Sequence, residues 1–197
     1  HFIFLSLTDY FIQKNSRIID LGCSSGNYLS KLYDKNKLDI SLKFEGYDAV
    51  PEMIKFCKKK YSKKKINFFT KDITNINFKN SSLISSFYTI QFISPKKRQT
   101  LINKIFKGLN WGGAFFFVEK VRGSDARFQD ILNQTYIDYK LSKGYSANEI
   151  ISKSRSLKGV LEPFSTKGNL DLLKRAGFKD VITIFKYGSF EGFLAIK

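Results

Sequence analysis

The 197-residue chain carries 34 Lys and Arg against 17 Asp and Glu and a single His, a formal net charge of +17. That length predicts one domain, residues 1–197, and a core large enough to need no disulfide staples. The 43% apolar and 16% aromatic content argues against disorder, two cysteines argue against a secreted disulfide framework and for a reducing cytoplasm, and no run approaches the ~20 apolar residues that span a bilayer.

The chain opens on His1-Phe2-Ile3-Phe4-Leu5, apolar but without Met or a basic n-region, so it does not read as a signal peptide; it reads as a chain whose true N-terminus is missing. His1 is the only imidazole, which removes Ser-His-Asp and Cys-His mechanisms and Cys/His zinc sites from the body of the chain. Arg17-Ile18-Ile19-Asp20-Leu21 is a buried strand that runs into the small-residue turn Gly22-Cys23-Ser24-Ser25-Gly26, and a helix follows from about Asn27. Phe44 to Tyr47 is a second strand ending at Asp48, and Pro51 suits the first turn of the next helix. In that helix Met53, Ile54, Phe56, Cys57 and Tyr61 recur at helical spacing. The basic run from Lys58 to Lys65 is a solvated helix end, where cations suit the helix dipole.

Ile66 to Thr70 is strand three, followed by Lys71-Asp72-Ile73, and Leu83 to Tyr88 is strand four. Ser94-Pro95 opens a helix with the stripe Leu101, Ile102, Ile105, Phe106 and Leu109, closed at Gly108; Gly112-Gly113 then feeds strand five, Ala114 to Glu119. A helical insertion, about residues 122–165, breaks the rhythm. Phe128, Ile131, Leu132, Thr135, Tyr136 and Tyr139 share one face of its first helix, Gly144 ends that helix, and the capping box Ser146-Ala147-Asn148-Glu149 starts another. Leu170, Leu172, Leu173 and Ala176 form a last helix closed by Gly177. Val181 to Phe185 and Phe190 to Ile196 are joined by too few residues for a crossover helix, so they pair antiparallel. A mostly parallel seven-stranded α/β sheet that finishes in an antiparallel hairpin predicts the Rossmann-like class I methyltransferase fold.

Ligands of open α/β sheets bind outside the carboxyl ends of the strands. Asp20 and the glycines Gly22 and Gly26 end strand one, where a bare backbone lets a ligand approach closely. The dinucleotide pattern Gly-x-Gly-x-x-Gly and the P-loop Gly-Lys-Ser/Thr are both absent, so the turn suits a ligand without phosphate, such as S-adenosylmethionine. Asp48 is placed to accept from both ribose hydroxyls, and Asp72 from the adenine amino group, with Ile73 offering its N–H and an apolar surface to the ring. Taken singly, each of these is also readable as a turn or a helix cap; together they form a set.

From Ile18 onwards the chain resembles the bacterial carboxy-S-adenosyl-L-methionine synthases. The matching stretches are Asp20-Leu21-Gly22-Cys23-Ser24, Thr89-Ile90-Gln91-Phe92, Lys104 to Asn110 with Gly112-Gly113-Ala114, Glu119-Lys120, Gly144-Tyr145-Ser146 with Glu149-Ile150, Ala176-Gly177-Phe178 and Gly188-Ser189. The resemblance implies S-adenosylmethionine or its carboxylated form as cofactor, prephenate or another small molecule as partner, a homodimer, and a place in tRNA wobble-uridine modification. It implies cofactor contacts from Asp20, Gly22, Cys23, Ser24, Gly26, Asp48, Ala49, Asp72, Ile73 and the Phe87 position, where the family has an asparagine. It also puts Ser154 where the family has the arginine that grips the extra carboxylate, with Arg155 one residue on, a rotation of roughly 100° on a helix. Tyr145, Ser154 and Arg155 are the substrate-side candidates. Tyr136 and Tyr139 join Tyr145 as residues that line the acceptor side or pack in the core, the core being the expectation for at least two of the three.

Three functions follow. An S-adenosylmethionine-dependent methyltransferase related to the synthases, its acceptor unidentified, is preferred narrowly over a working synthase with a rearranged arginine. A basic RNA-associated protein with a vestigial cofactor pocket ranks third, because the cofactor residues argue against it and no aromatic-basic nucleic-acid motif is present. The surplus positive charge is read as compositional drift, alongside heavy use of Asn, Ile and Phe, rather than as a tRNA footprint; no membrane partner is expected.

Overall fold

The structure is a computed structural model that describes residues 2–197, so His1 and the reading that rested on it lie outside the described residues. After a short helix α1 (Phe2–Leu7), strands and helices alternate as β1 (Arg17–Leu21), α2 (Asn27–Asn36), β2 (Lys43–Asp48), α3 (Pro51–Lys60), β3 (Ile66–Thr70), β4 (Ser81–Phe87), α4 (Pro95–Gly108) and β5 (Leu109–Lys120). Three helices, α5 (Ala126–Ser142), α6 (Ala147–Ser156) and α7 (Thr166–Ala176), precede β6 (Asp180–Tyr187) and β7 (Phe190–Ile196). The seven strands order as β3-β2-β1-β4-β5-β7-β6. The first five strands run parallel, and β7 pairs antiparallel with both β5 and β6. The chain order reverses between β1 and β4, which opens a crevice at their carboxyl ends.

Period-two alternation divides the sheet's side chains between two apolar layers. Ile19, Leu21, Ile84, Phe115, Phe117 and Phe193 pack with Leu101, Ile102 and Ile105 of α4 and Leu172 and Leu173 of α7. Ile18, Phe44, Leu83, Phe116, Val118 and Leu194 pack with Phe4, Phe11 and the buried faces of α2 and α3. Phe115, Phe116 and Phe117 are all fully buried, as a central strand covered on both faces requires.

Three helical expectations need correction. In α3 only Ile54 and Cys57 turn inward; Met53 and Phe56 are exposed, because one helix face meets the sheet and theirs is the flank. Strand five begins at Leu109, expected as the last residue of the α4 stripe, and continues through Gly112 and Gly113 with a register shift opposite β4. Helix α5 has the expected extent but buries no residue, and Phe128, Ile131 and Tyr139 stay exposed, because no second layer covers that face. Of the three tyrosines assigned between core and acceptor side, Tyr136 is half-buried while Tyr139 and Tyr145 are exposed, so core packing does not hold for two of them.

Candidate functional site

The turn after β1 is held against β2 by its own backbone. Gly22 and Cys23 N–H both donate to the Tyr47 carbonyl, at 2.8 and 2.9 Å. Ser24 takes a left-handed conformation with φ of 47° and donates its N–H to Asp48 Oδ2 at 2.8 Å. Val50 N–H donates to Asp48 Oδ1 at 2.9 Å. Each oxygen of Asp48 thus holds one backbone amide and keeps a lone pair for a further donor. This orientation is what a carboxylate needs to accept from two adjacent hydroxyls. Ala49 is exposed between Asp48 and Val50.

Asp20 lies behind this turn, 3% exposed, and accepts from Ser85 Oγ at 2.7 Å. Burial pushes its carboxyl up to about 7 against the pull of the Ser85 bond, and the nearby Asp48 charge adds to the rise. A cationic ligand at this point would reverse that cost. Asp72 is exposed after β3, and its Oδ1 accepts from the N–H and hydroxyl of Thr74, both at 2.8 Å. Those bonds hold its carboxyl below the usual range. The three carboxylates therefore stand at the ends of β1, β2 and β3 as read from the sequence.

Other residues sit differently from expectation. A Cβ on Gly22 would lie 2.1 Å from Thr89 Oγ1, and one on Gly26 would lie 2.9 Å from the Tyr61 ring. Both glycines, with φ of 68°, are required by neighbouring side chains and by a left-handed backbone. Ile73 is buried in the core, so its side chain offers no apolar surface to a ring. Cys23 is buried beneath the turn, burial raising its thiol far above the ordinary value, and Cys57 donates to the Ser24 carbonyl at 3.1 Å. Phe87 packs edge-on between Phe4 and Tyr28, with ring centroids 5.1 and 4.7 Å away. Tyr145, Ser154 and Arg155 are exposed on and before α6, and among the described residues no side-chain hydrogen bond or ion pair joins them to Asp20, Asp48 or Asp72.

The sequence reading missed the clamp behind the β4 end. Glu119, 2% exposed, accepts from Ile90 N–H at 2.9 Å through Oε1 and from Gln91 N–H at 2.8 Å through Oε2. Gln91 Oε1 accepts in return from Lys120 N–H at 2.9 Å. Arg98, also buried, donates to the carbonyls of Ile93 and Gln91 at 2.8 and 3.0 Å. Thr89 Oγ1 then reaches across to Leu21 O at 3.1 Å. Glu119 thus ties the loop after β4 to the end of β5, and Thr89 ties the same loop to the turn after β1. The one signal in the sequence was an acid closing an otherwise apolar strand.

The donor set suits a nucleoside that is cationic and carries no phosphate: three carboxylates at adjacent strand ends, in a chain whose net charge is strongly positive. S-adenosylmethionine has that character, and the arrangement of Asp48 fits its ribose. Residues 18–113 match the methyltransferase-domain family. The human N-acetylserotonin methyltransferase in complex with SAM superimposes with a TM-score of 0.61 at 18% identity, over 92% of this chain and 47% of that one, which shows the fold. The carboxy-S-adenosyl-L-methionine synthase of Staphylococcus epidermidis is 36% identical over 197 residues, all of this chain and 86% of that protein. The enzyme of the same name from Campylobacter jejuni subsp. jejuni is 40% identical over 185 residues, 93% of this chain and 77% of that protein. With the expected sheet, the acidic strand ends and a match that runs through α5 and α6, the chain belongs to the carboxy-S-adenosyl-L-methionine synthases, a family of S-adenosylmethionine-dependent transferases on the class I methyltransferase fold.

Proposed function

We propose that the chain forms carboxy-S-adenosyl-L-methionine from S-adenosylmethionine and prephenate, for use in tRNA modification in the cytoplasm. The observation that carries this reading is the match of the whole chain, helical insertion included, to synthases at 34–40% identity. S-adenosylmethionine supplies the sulfonium methyl carbon. Prephenate supplies the carboxyl group and a base as it loses carbon dioxide and hydroxide, so the absence of an imidazole from residues 2–197 is no obstacle. The chain's own residues bind and orient: Asp48 holds the ribose, Asp72 the adenine edge, Asp20 the cationic end, and Phe4, Tyr28 and Phe87 close an apolar wall that excludes water.

Methyl transfer to a small acceptor is the second reading, favoured by Phe87 and Ser154 standing where the resemblance places an asparagine and an arginine. The broader statement of the sequence reading, a transferase allied to the synthases, covers both. Incubation with S-adenosylmethionine and prephenate, followed by mass spectrometry of the nucleosides, separates them. A new sulfonium heavier by one carboxyl group supports synthesis. S-adenosylhomocysteine appearing with an added acceptor, and no carboxylated product, would assign methyl transfer. The uncovered apolar face of α5 supports the homodimer that the resemblance implies, and among the described residues no helix is long and apolar enough to cross a membrane.

A further inference from the structure

Beyond the nucleoside site, two lysines meet over one aromatic ring at the carboxyl end of β5. Lys120 Nζ lies 5.5 Å from the centroid of the Tyr136 ring, and Lys140 Nζ lies 4.6 Å from the same centroid. Lys120 is the last residue of β5, and Tyr136 and Lys140 are neighbours one turn apart on α5. Lys120 is half-buried, and among the described residues neither lysine forms an ion pair. Burial and the Lys140 charge both lower the Lys120 ammonium from its usual value, so each cation is felt by the other. A half-buried pair of like charges without an acid is an arrangement that an anion between them would relieve.

The placement relates this pair to the transferase site. Alternation along β5 turns Lys120 to the face of Val118, opposite to Glu119, and Val118 pairs directly with Phe87 of β4. The pair therefore shares a sheet face with Asp20, Ser85 and Phe87. An aromatic wall connects the two places. Tyr88, held in a left-handed conformation with φ of 56°, meets Phe190 edge-on with centroids 5.7 Å apart, and Phe190 meets Tyr136 edge-on at 5.4 Å. A non-glycine residue in that conformation carries backbone strain of the kind that collects at ligand sites. The surroundings thus combine two ammonium groups with unused donors and flat apolar walls. That chemistry recognises a carboxylate borne on or beside an unsaturated ring.

We propose that Lys120 and Lys140, bridged by Tyr136, form a subsite for the side-chain carboxylate of the anionic co-substrate, the one that is not transferred. The identity of that co-substrate as prephenate rests on the proposed function; the anion preference rests on the lysines. It is a different place from Ser154 and Arg155 on α6 and needs neither.

The test uses Lys120→Gln, Lys140→Gln, the double variant and Lys120→Arg, each first titrated with S-adenosylhomocysteine by calorimetry. All four should bind that nucleoside within about twofold of wild type, since the strand-end carboxylates are untouched. Phenylpyruvate, an aromatic keto acid that retains the side-chain carboxylate and has no carboxyl group to transfer, is then titrated into the nucleoside-loaded proteins. Each Gln variant should lose about tenfold in affinity, the double variant should show no saturable binding, and Lys120→Arg should retain most of it. With prephenate as substrate, KM should rise in the same order. Gln variants that bind nucleoside and phenylpyruvate like wild type would overturn the subsite even if the wild type makes the carboxylated product. A wild type that makes no such product, yet binds phenylpyruvate through these lysines, would leave the subsite standing and remove the proposed reaction. A Lys120→Arg protein as poor as Lys120→Gln would overturn charge as the basis of recognition.

Discussion

Asp48 shows how much one side chain can do at a strand end. It anchors the amides of Ser24 and Val50, at 2.8 and 2.9 Å, one on each oxygen, and each oxygen has capacity to accept a further bond. In its proposed role it accepts two bonds from the ribose, and replacement by Ala would remove both, each worth about 1.5–3 kcal/mol when one partner is charged. Asp48→Ala should therefore weaken S-adenosylhomocysteine binding by at least a hundredfold in calorimetry, and an unchanged affinity would take Asp48 out of the site. Gly22 carries a different constraint. A Cβ there meets Thr89 Oγ1 at 2.1 Å and Cγ2 at 2.5 Å on a backbone with φ of 68°, so Gly22→Ala should cost about 1–3 kcal/mol of stability. Adding Thr89→Ala removes the two nearest atoms and should restore part of that loss in thermal melts; no restoration would mean that backbone strain alone sets the cost.

At the level of elements, the lysine run after α3 divides into two kinds of residue. Lys64 is no solvated helix end. Its Nζ donates to Ser30 Oγ at 2.7 Å and pairs with Asp34 at 2.6 Å, both on α2, and lies 5.6 Å from the centre of the Tyr61 ring. It fastens the α3–β3 connection to the neighbouring helix. Lys58, Lys59 and Lys63 are exposed, and Lys58 and Lys59 lie in the last turn of α3, where a cation meets the negative end of the helix dipole. Lys64→Gln should lower the urea midpoint by the equivalent of about 1 kcal/mol, in keeping with a partly exposed pair. Joint replacement of Lys58, Lys59 and Lys63 by Gln should change stability by no more than about 0.5 kcal/mol and leave turnover on small substrates unaltered. Turnover on a tRNA substrate that falls on this replacement, with a shallower salt dependence than wild type, would instead assign those three to an RNA surface.

Across the whole molecule, two buried carboxylates make stability depend on pH in an unusual direction. Burial lifts Asp20 to about 7 and Glu119 to about 8, in the second case over the opposing pull of three backbone amides. Between the ordinary carboxylate range and those values, the folded chain holds protons that the unfolded chain has released. Stability then falls as pH rises through that window, by about 1.4 kcal/mol per pH unit for each carboxylate, and levels off above it. Asp20→Asn and Glu119→Gln carry the same lysine charge as wild type, so general repulsion cancels in the comparison. Thermal melts should show wild type losing ground to both variants between pH 5 and pH 8. Parallel curves would mean that both carboxylates are already ionised at pH 5.

The sequence by itself determined the succession of strands and helices along the chain, the closing hairpin and the three acids at the strand ends. Those features are local: a period of two or 3.6, a Pro at a helix start, a Gly at a helix end, a carboxylate where an apolar run stops. It even specified the capping box at Ser146 and Glu149, whose partners are three residues apart. The tertiary structure decided everything that depends on which distant residue stands opposite. Gly22 is required by Thr89, Glu119 holds Ile90 and Gln91, and Lys120 meets Lys140 over one ring. It also decided that the apolar face of α5 remains uncovered, because amphipathic spacing specifies that a helix has a face to bury and says nothing about whether another layer is there to receive it.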